Sequence, residues 1–431
     1  MPVMRKGQYM HFCHDDDYPE GRSSVCHKLA GLFLCLVFIL PGLLTGCGSA
    51  DKTVEVLADY GDYGAKIAQT IAEMYPFRKA YSPEEKEAGA YIKSEFEKLG
   101  YKVEEQTVTS ADQTGTSTNY IIRIPGEGLM FQDLQGNYIL KKRQVIVGAH
   151  YDTKFGSADA AAMPDYDGIQ DNACGIGALL TLAREIRTNS MGYDVVLIAF
   201  GAGSDSYAGA AAYAAQMTAD EIASTDVMYC VESIYAGDKL YASAGWNSLV
   251  PGQKYEMRRK LYEVYDVVYE NQLSYKNGID LLYNESGLSF DIDGNGAADV
   301  YREVTTTLSD YVPFDRAGVP IVFFESYDYN YTKTTDMKET KNLKLQTDSG
   351  MIRRTSSDSL KILDEALPAD QLVKRINNTA FIILKAIEKG AHNSLTKAAY
   401  AGGATIAPVI HVITTVTPPA GETASTPAAS S

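Results

Sequence analysis

Basic residues are scarce in this chain of 431: 39 Lys and Arg stand against 55 Asp and Glu, a formal net charge of -16. Nucleic-acid affinity rests largely on Lys and Arg contacts to phosphate, so that class of partner is excluded. Cysteine is thin as well. The six, at 13, 26, 35, 47, 174 and 230, form no CxxC pair and no even ladder of spacings, which argues against a thiolate zinc site and against a disulfide framework. Histidine is the third shortage, because beyond Cys47 the chain holds only His150, His392 and His411. No internal repeat is present. What remains is globular: 45% of residues are apolar, enough to bury a sizeable core in one large domain or two ordinary ones.

The N-terminus reads as an export signal. Leu29 to Leu44 is an apolar run preceded by Arg22, His27 and Lys28 and followed at once by Thr45, Gly46 and Cys47, the layout of a signal-peptide hydrophobic region, slightly short for a spanning helix. Leu44-Thr45-Gly46-Cys47 resembles the lipobox of bacterial lipoproteins, which implies lipidation at Cys47 and a soluble domain tethered on the extracytoplasmic face of the cell membrane. A plain signal peptide or a short membrane anchor is the alternative. The expected organisation is a leader over 1–46, a tether over 47–53, one domain over 54–400 and a flexible tail over 401–431, which is rich in Ala, Thr, Pro, Gly and Ser.

Two helices are expected to open the domain, Val54–Met74 and Ser82–Leu99, the second with Ser82 as N-cap and Glu85 as its capping-box partner. From Gln144 the pattern alternates. Strands at Gln144–Ala149, Asp194–Phe200, Thr225–Val231 and Pro320–Glu325 are interleaved with helices at Ala173–Arg187, Tyr207–Met217 and Asp370–Lys389. That alternation predicts an α/β fold with a doubly wound, mostly parallel central sheet flanked by helices. Functional residues then belong in loops at the carboxyl ends of the strands. Separately, Asp291, Asp293, Asn295 and Asp299 stand at positions 1, 3, 5 and 9 around Gly296, as in a calcium loop, although position 12 is Arg302 instead of glutamate. This segment is either a calcium site, with Glu303 as a late ligand, or an Asx-rich turn.

Just past the first alternating strand come His150 and Asp152, where a loop can present both to a ligand. Alone, His150 is a metal ligand or simply a satisfied polar residue. Asp171 follows at the start of a helix rich in small residues, where the positive end of the helix dipole favours a carboxylate, as ligand or as cap.

In order, GAHYD at 148–152, DNACGIGALL at 171–180, VVLIAFGA at 195–202 and SDYVPF at 309–314 resemble the zinc exopeptidases of the aminopeptidase Y and glutamate carboxypeptidase II family, over roughly Val54 to Gly390. The resemblance implies two zinc ions bridged by an aspartate, with a glutamate base activating the water between them. His150 matches the first ligand, Asp171 the bridge and Glu232 the acidic ligand after the next strand, with Asp152 orienting the imidazole.

The chain then departs from the pattern. The family has two consecutive glutamates, one the base and one a ligand of the second zinc, where this chain has Gly203 and Ser204. Arg354 stands where the last histidine ligand belongs, and arginine cannot lose its proton to bind metal. The expectation is one zinc ion held by His150, Asp171 and Glu232, with Asp152 or Asp205 as base. Two functions follow: an exopeptidase of aminopeptidase type with a weakened site, or a non-catalytic protein that binds peptide ends, with Arg354 and Arg353 pairing a carboxylate.

Overall fold

The computed structural model describes residues 58–400 apart from 134, 275–277, 279–280, 285–287, 291–298, 331–335 and 346. These all fall within one compact unit of the chain. The expected leader, Cys47, the tail over 401–431, and Asp291, Asp293 and Asn295 of the calcium-type loop lie outside the described residues. Asp299 is described by its backbone alone, in the short strand Asp299–Tyr301.

The architecture is a sheet of eight strands covered by helices. The strands are β1 (Glu104–Thr109), β2 (Thr116–Ile124), β3 (Gln144–His150), β4 (Asp194–Phe200), β5 (Thr225–Val231), β6 (Lys239–Ser243), β7 (Leu281–Leu282) and β8 (Ile321–Tyr327), in the spatial order β1-β2-β4-β3-β5-β8-β6-β7. The four central strands, β4, β3, β5 and β8, run parallel. They read as unbroken apolar runs because helices cover both of their faces. Alternate residues serve the two sides: Val145, Val147 and Ala149 of β3 enter the larger core, while Ile146 enters the smaller one. The flanks differ from the expected pattern, for β1, β2 and β6 each join antiparallel, so the sheet is mixed.

On the side of the larger core lie α1 (Tyr63–Met74), α3 (Cys174–Ile186), α5 (Lys254–Glu270) and α6 (Gln371–Tyr400); on the other lies α4 (Ala208–Gln216). Helices α1 and α3 cross in backbone contact: a Cβ on Gly177 would stand 2.5 Å from the carbonyl oxygen of Gly64. Helix α1 begins later than its apolar pattern suggested, after a turn in which Asp59 accepts from the amide of Gly61.

Helix α2 (Pro83–Lys98) starts as expected, with Ser82 accepting from the amide of Glu85. Glu85 does not close the capping box. Its carboxylate instead accepts from the amide of Ala202 at 2.8 Å, the hydroxyl of Ser117 at 2.6 Å and the amide of Tyr81. The opening helix is thereby fastened to the loop that follows β4. Among the described residues no helix is long and apolar enough to cross a membrane.

Register completes the frame. His150 pairs with Phe200 and Val231 with Phe324, so the ends of β3, β4, β5 and β8 reach one edge of the sheet together.

Candidate functional site

Three loops at that edge converge, each fixed by buried hydrogen bonds. Arg78, with no exposed surface, donates to the carbonyls of Tyr151 (2.6 Å), Asp167 (2.7 Å) and Gly168 (2.7 Å), joining the loop after His150 to the turn that carries Asp171. Asp358 accepts from the amides of Gln170 (2.7 Å) and Asp171 (3.1 Å). Asn172 donates to the carbonyl of Val231 (2.9 Å) and accepts from the amide of Ser233 (3.0 Å), which places Glu232 beside Asp171.

The ligand atoms of His150, Asp171 and Glu232 lie within 4.8 Å of one another, and all three side chains are buried. Nδ1 of His150 is 3.1 Å from the carbonyl oxygen of Asp152 and 3.4 Å from its Oδ1, so a neutral imidazole donates there and turns its Nε2 lone pair inward. Nε2 stands 3.1 Å from Oδ1 of Asp171 and 4.0 Å from Oε2 of Glu232. Both Nε2 and Oδ1 are buried, with no hydrogen-bond partner apart from each other. Buried polar atoms so poorly satisfied are costly unless something binds them, and an imidazole with two carboxylates suits one zinc ion.

Electrostatics agree with cation binding. Burial disfavours a charged Asp171, but the guanidinium of Arg354 and the bond to His150 hold its carboxyl well below the usual range. Burial and the neighbouring Asp171 charge push Glu232 up. Burial likewise opposes charge on His150, yet its bonds to Asp152 and Asp171 outweigh that and raise it well above an ordinary histidine. A cation taking Nε2 displaces that proton, so affinity rises with pH.

The glutamates expected by resemblance are replaced by a turn built differently. The amides of Gly203 (2.6 Å) and Ser204 (2.9 Å) donate to the two oxygens of Asp152, which occupies that carboxylate. A Cβ on Gly203 would lie 2.4 Å from Cβ and 2.6 Å from Cγ of His150. Gly203→Glu is therefore expected to push the imidazole aside and weaken zinc binding by roughly 10- to 100-fold, the scale of losing a ligand's support; isothermal titration against zinc measures it. Tighter binding in that variant would mean the turn has room for the family's base.

Asp205 lies outside the cluster, exposed, accepting from the hydroxyl of Tyr81 at 2.8 Å. Arg354 is inside it, with Nε 3.1 Å from Oδ2 of Asp171 and its side chain still 36% exposed. Arg353 is not free to pair a ligand carboxylate, since Glu339 (2.9 Å) and Glu325 (3.0 Å) already hold its guanidinium in the interior.

One residue of the site was passed over in sequence. Asp310 is 1% exposed, and neither of its oxygens has a hydrogen-bond partner. Burial pushes its carboxyl up to about 7; His150 opposes the rise, and the carboxylates of Glu232, Asp152 and Asp171 add to it. Its signal was SDYVPF, the segment that contributed to the resemblance without being read for chemistry.

A family profile described as peptidase family M28 matches residues 132–353. The "Alkaline phosphatase isozyme conversion protein" of Escherichia coli strain K12 is 23% identical over 383 residues, covering 86% of this chain and 99% of that protein. Two solved structures share the fold: glutaminyl cyclase from Macrostomum lignano, with TM-score 0.52 and 14% identity over 80% of this chain and 94% of that one, and glutaminyl cyclase from an Acidobacteriales bacterium, with TM-score 0.50 and 17% identity over 77% and 95%.

Proposed function

Since the chain belongs to peptidase family M28, we propose that it is an aminopeptidase-type exopeptidase with one zinc ion per chain, held by His150, Asp171 and Glu232. The observation that carries this reading is the convergence of Nε2 of His150, Oδ1 of Asp171 and a carboxylate oxygen of Glu232, all buried, the first two with no hydrogen-bond partner apart from each other. Bound there, zinc supplies a Lewis acid and lowers the pKa of a water to about 7.

The chain's own groups do the rest. Asp152 keeps the His150 ring oriented and the 203–204 turn in place, so both its oxygens are engaged. Asp205 is turned to Tyr81. The proton of the attacking water therefore goes to a carboxyl oxygen of Asp310, whose pKa near 7 suits a base at neutral pH. The apolar leader and Cys47 support tethering of this activity to the outer face of the cell membrane, where peptides of the envelope are the substrates.

The absence of side-chain carboxylates at 203 and 204, together with the exposed edge of Arg354, favours a second reading, in which the cleft binds peptide ends without cleaving them. Zinc content and hydrolysis of a panel of aminoacyl chromogenic substrates, with His150→Ala as control, separate the two. One equivalent of zinc with His150-dependent turnover is expected. Peptide binding that Arg354→Ala abolishes, with no turnover in any form, would replace the enzyme by the binding protein.

A further inference from the structure

Asp171 and Glu232 each divide their oxygens between two sides. Oδ1 of Asp171 and Oε2 of Glu232 look toward Nε2 of His150, at 3.1 and 4.0 Å. Oδ2 of Asp171 receives Nε of Arg354 at 3.1 Å, and Oε1 of Glu232 lies 4.0 Å from Nη2 of Arg354 and 3.6 Å from Nη1 of Arg353. The carboxylates are thus arranged as if between two cations, and a guanidinium holds one of the two places.

Arg354 is also held there by its backbone. It adopts a φ of +60°, in the left-handed region that favours glycine, a conformation that persists only where the surroundings enforce it. The segment is fastened at Asp358, four residues on, whose two oxygens accept from the amides of Gln170 and Asp171. The inner edge of the guanidinium is committed to Asp171. The side chain remains 36% exposed, so part of the guanidinium is left for a ligand.

We propose that Arg354 is the second cation of this centre: it fills the place that a second divalent ion would take and donates to the carbonyl oxygen of the peptide bond being cleaved. The second half rests on the peptidase reading above; the first does not. In the reaction the water oxygen bonds to the carbonyl carbon, and the carbonyl electron pair moves onto oxygen, where Arg354 donates its hydrogen bonds. The C–N bond then breaks, and the proton taken by Asp310 passes to the departing amine. A planar fork of N–H donors suits an oxyanion, while offering no site at which a second water could ionise.

The test is zinc content by plasma mass spectrometry, with kcat and KM, for the wild-type chain, Arg354→Ala, Arg354→Lys, Ser204→Glu alone and the double variant Ser204→Glu with Arg354→His. The wild type and both Arg354 single variants are expected to hold one equivalent, because Gly203 and Ser204 offer no carboxylate. Ser204→Glu alone is expected to hold one as well, because Arg354 still fills the second place, and the double variant, given back a carboxylate and an imidazole, is expected to hold two. Arg354→Ala should lower kcat by roughly 10²- to 10³-fold, the effect of losing an oxyanion donor, with KM little changed. Arg354→Lys, which keeps the charge and the fold without the fork, should fall between. Two equivalents in the wild type or in Ser204→Glu alone, one in the double variant, or an unchanged kcat in a folded Arg354→Ala would overturn the proposal. If the wild type holds one zinc and cleaves nothing, the peptidase reading fails, and the comparison of Ser204→Glu with the double variant decides whether Arg354 excludes the second ion.

Discussion

Asp310→Asn is expected to lower kcat by a factor of roughly 10² to 10⁴, the usual worth of a positioned base, while making the metal-free protein harder to melt. The two effects share a cause. Asparagine has the shape of aspartate, so it leaves no cavity, but it can neither accept the water's proton nor carry charge. Asp310 is buried with no hydrogen-bond partner for either oxygen, and its folded pKa stands near 7 against an ordinary 3.8. Between those values the folded chain holds a proton that the unfolded chain has released. Stability therefore falls as pH rises through that window and stays low above it. The asparagine variant escapes this loss, so its Tm should exceed that of wild type at pH 8 and match it near pH 4. A variant that is both inactive and less stable at pH 8 would mark Asp310 as a structural residue.

Arg353→Met should cost roughly 3–5 kcal/mol, the scale set by removing one partner of a buried ion pair. Glu325 and Glu339 have no exposed surface, and Arg353 is their shared counter-ion. Glu339 also accepts from the amides of Ile352 and Arg353, at 2.6 and 2.7 Å. With the guanidinium gone, two carboxylates remain in the interior without a counter-ion. Urea unfolding reads the loss directly. Adding Glu325→Gln and Glu339→Gln should recover part of it, because the uncompensated charges go with them. No recovery in that triple variant would mean that packing, and not charge, is what Arg353 supplies.

The α/β alternation was legible because central strands of a covered sheet are apolar throughout. β4 and β5 span Asp194–Phe200 and Thr225–Val231, as expected from the apolar runs that fill all but their first residues. The antiparallel flanks were not legible, since β1 and β2 find their partners through tertiary contacts that no local period encodes. In the site, the places of His150 and Asp171, after a buried strand and before a helix of small residues, marked them as candidates, and the resemblance added Glu232; the fold brings the three together. Asp310 was not so marked: its importance lies in having no partner inside the fold, a property of its surroundings and not of its neighbours in sequence. The pair Arg353 and Arg354 makes the same point. Adjacent and chemically identical, they differ in surroundings: one is enclosed by glutamates, and the other pairs with Asp171 and stays partly exposed. Glu85 followed a correct local rule for a helix start until the chain at Ala202 offered it an amide.

Gly203 lies so close to His150 that the two positions can change only together. A Cβ at 203 meets His150 at 2.4 Å, and the turn around it is tied down by Asp152 and by Glu85. Any side chain at 203 must displace the imidazole or rebuild the turn, so a carboxylate cannot be grafted there by one substitution. The glycine acts as a latch between the turn and the ring.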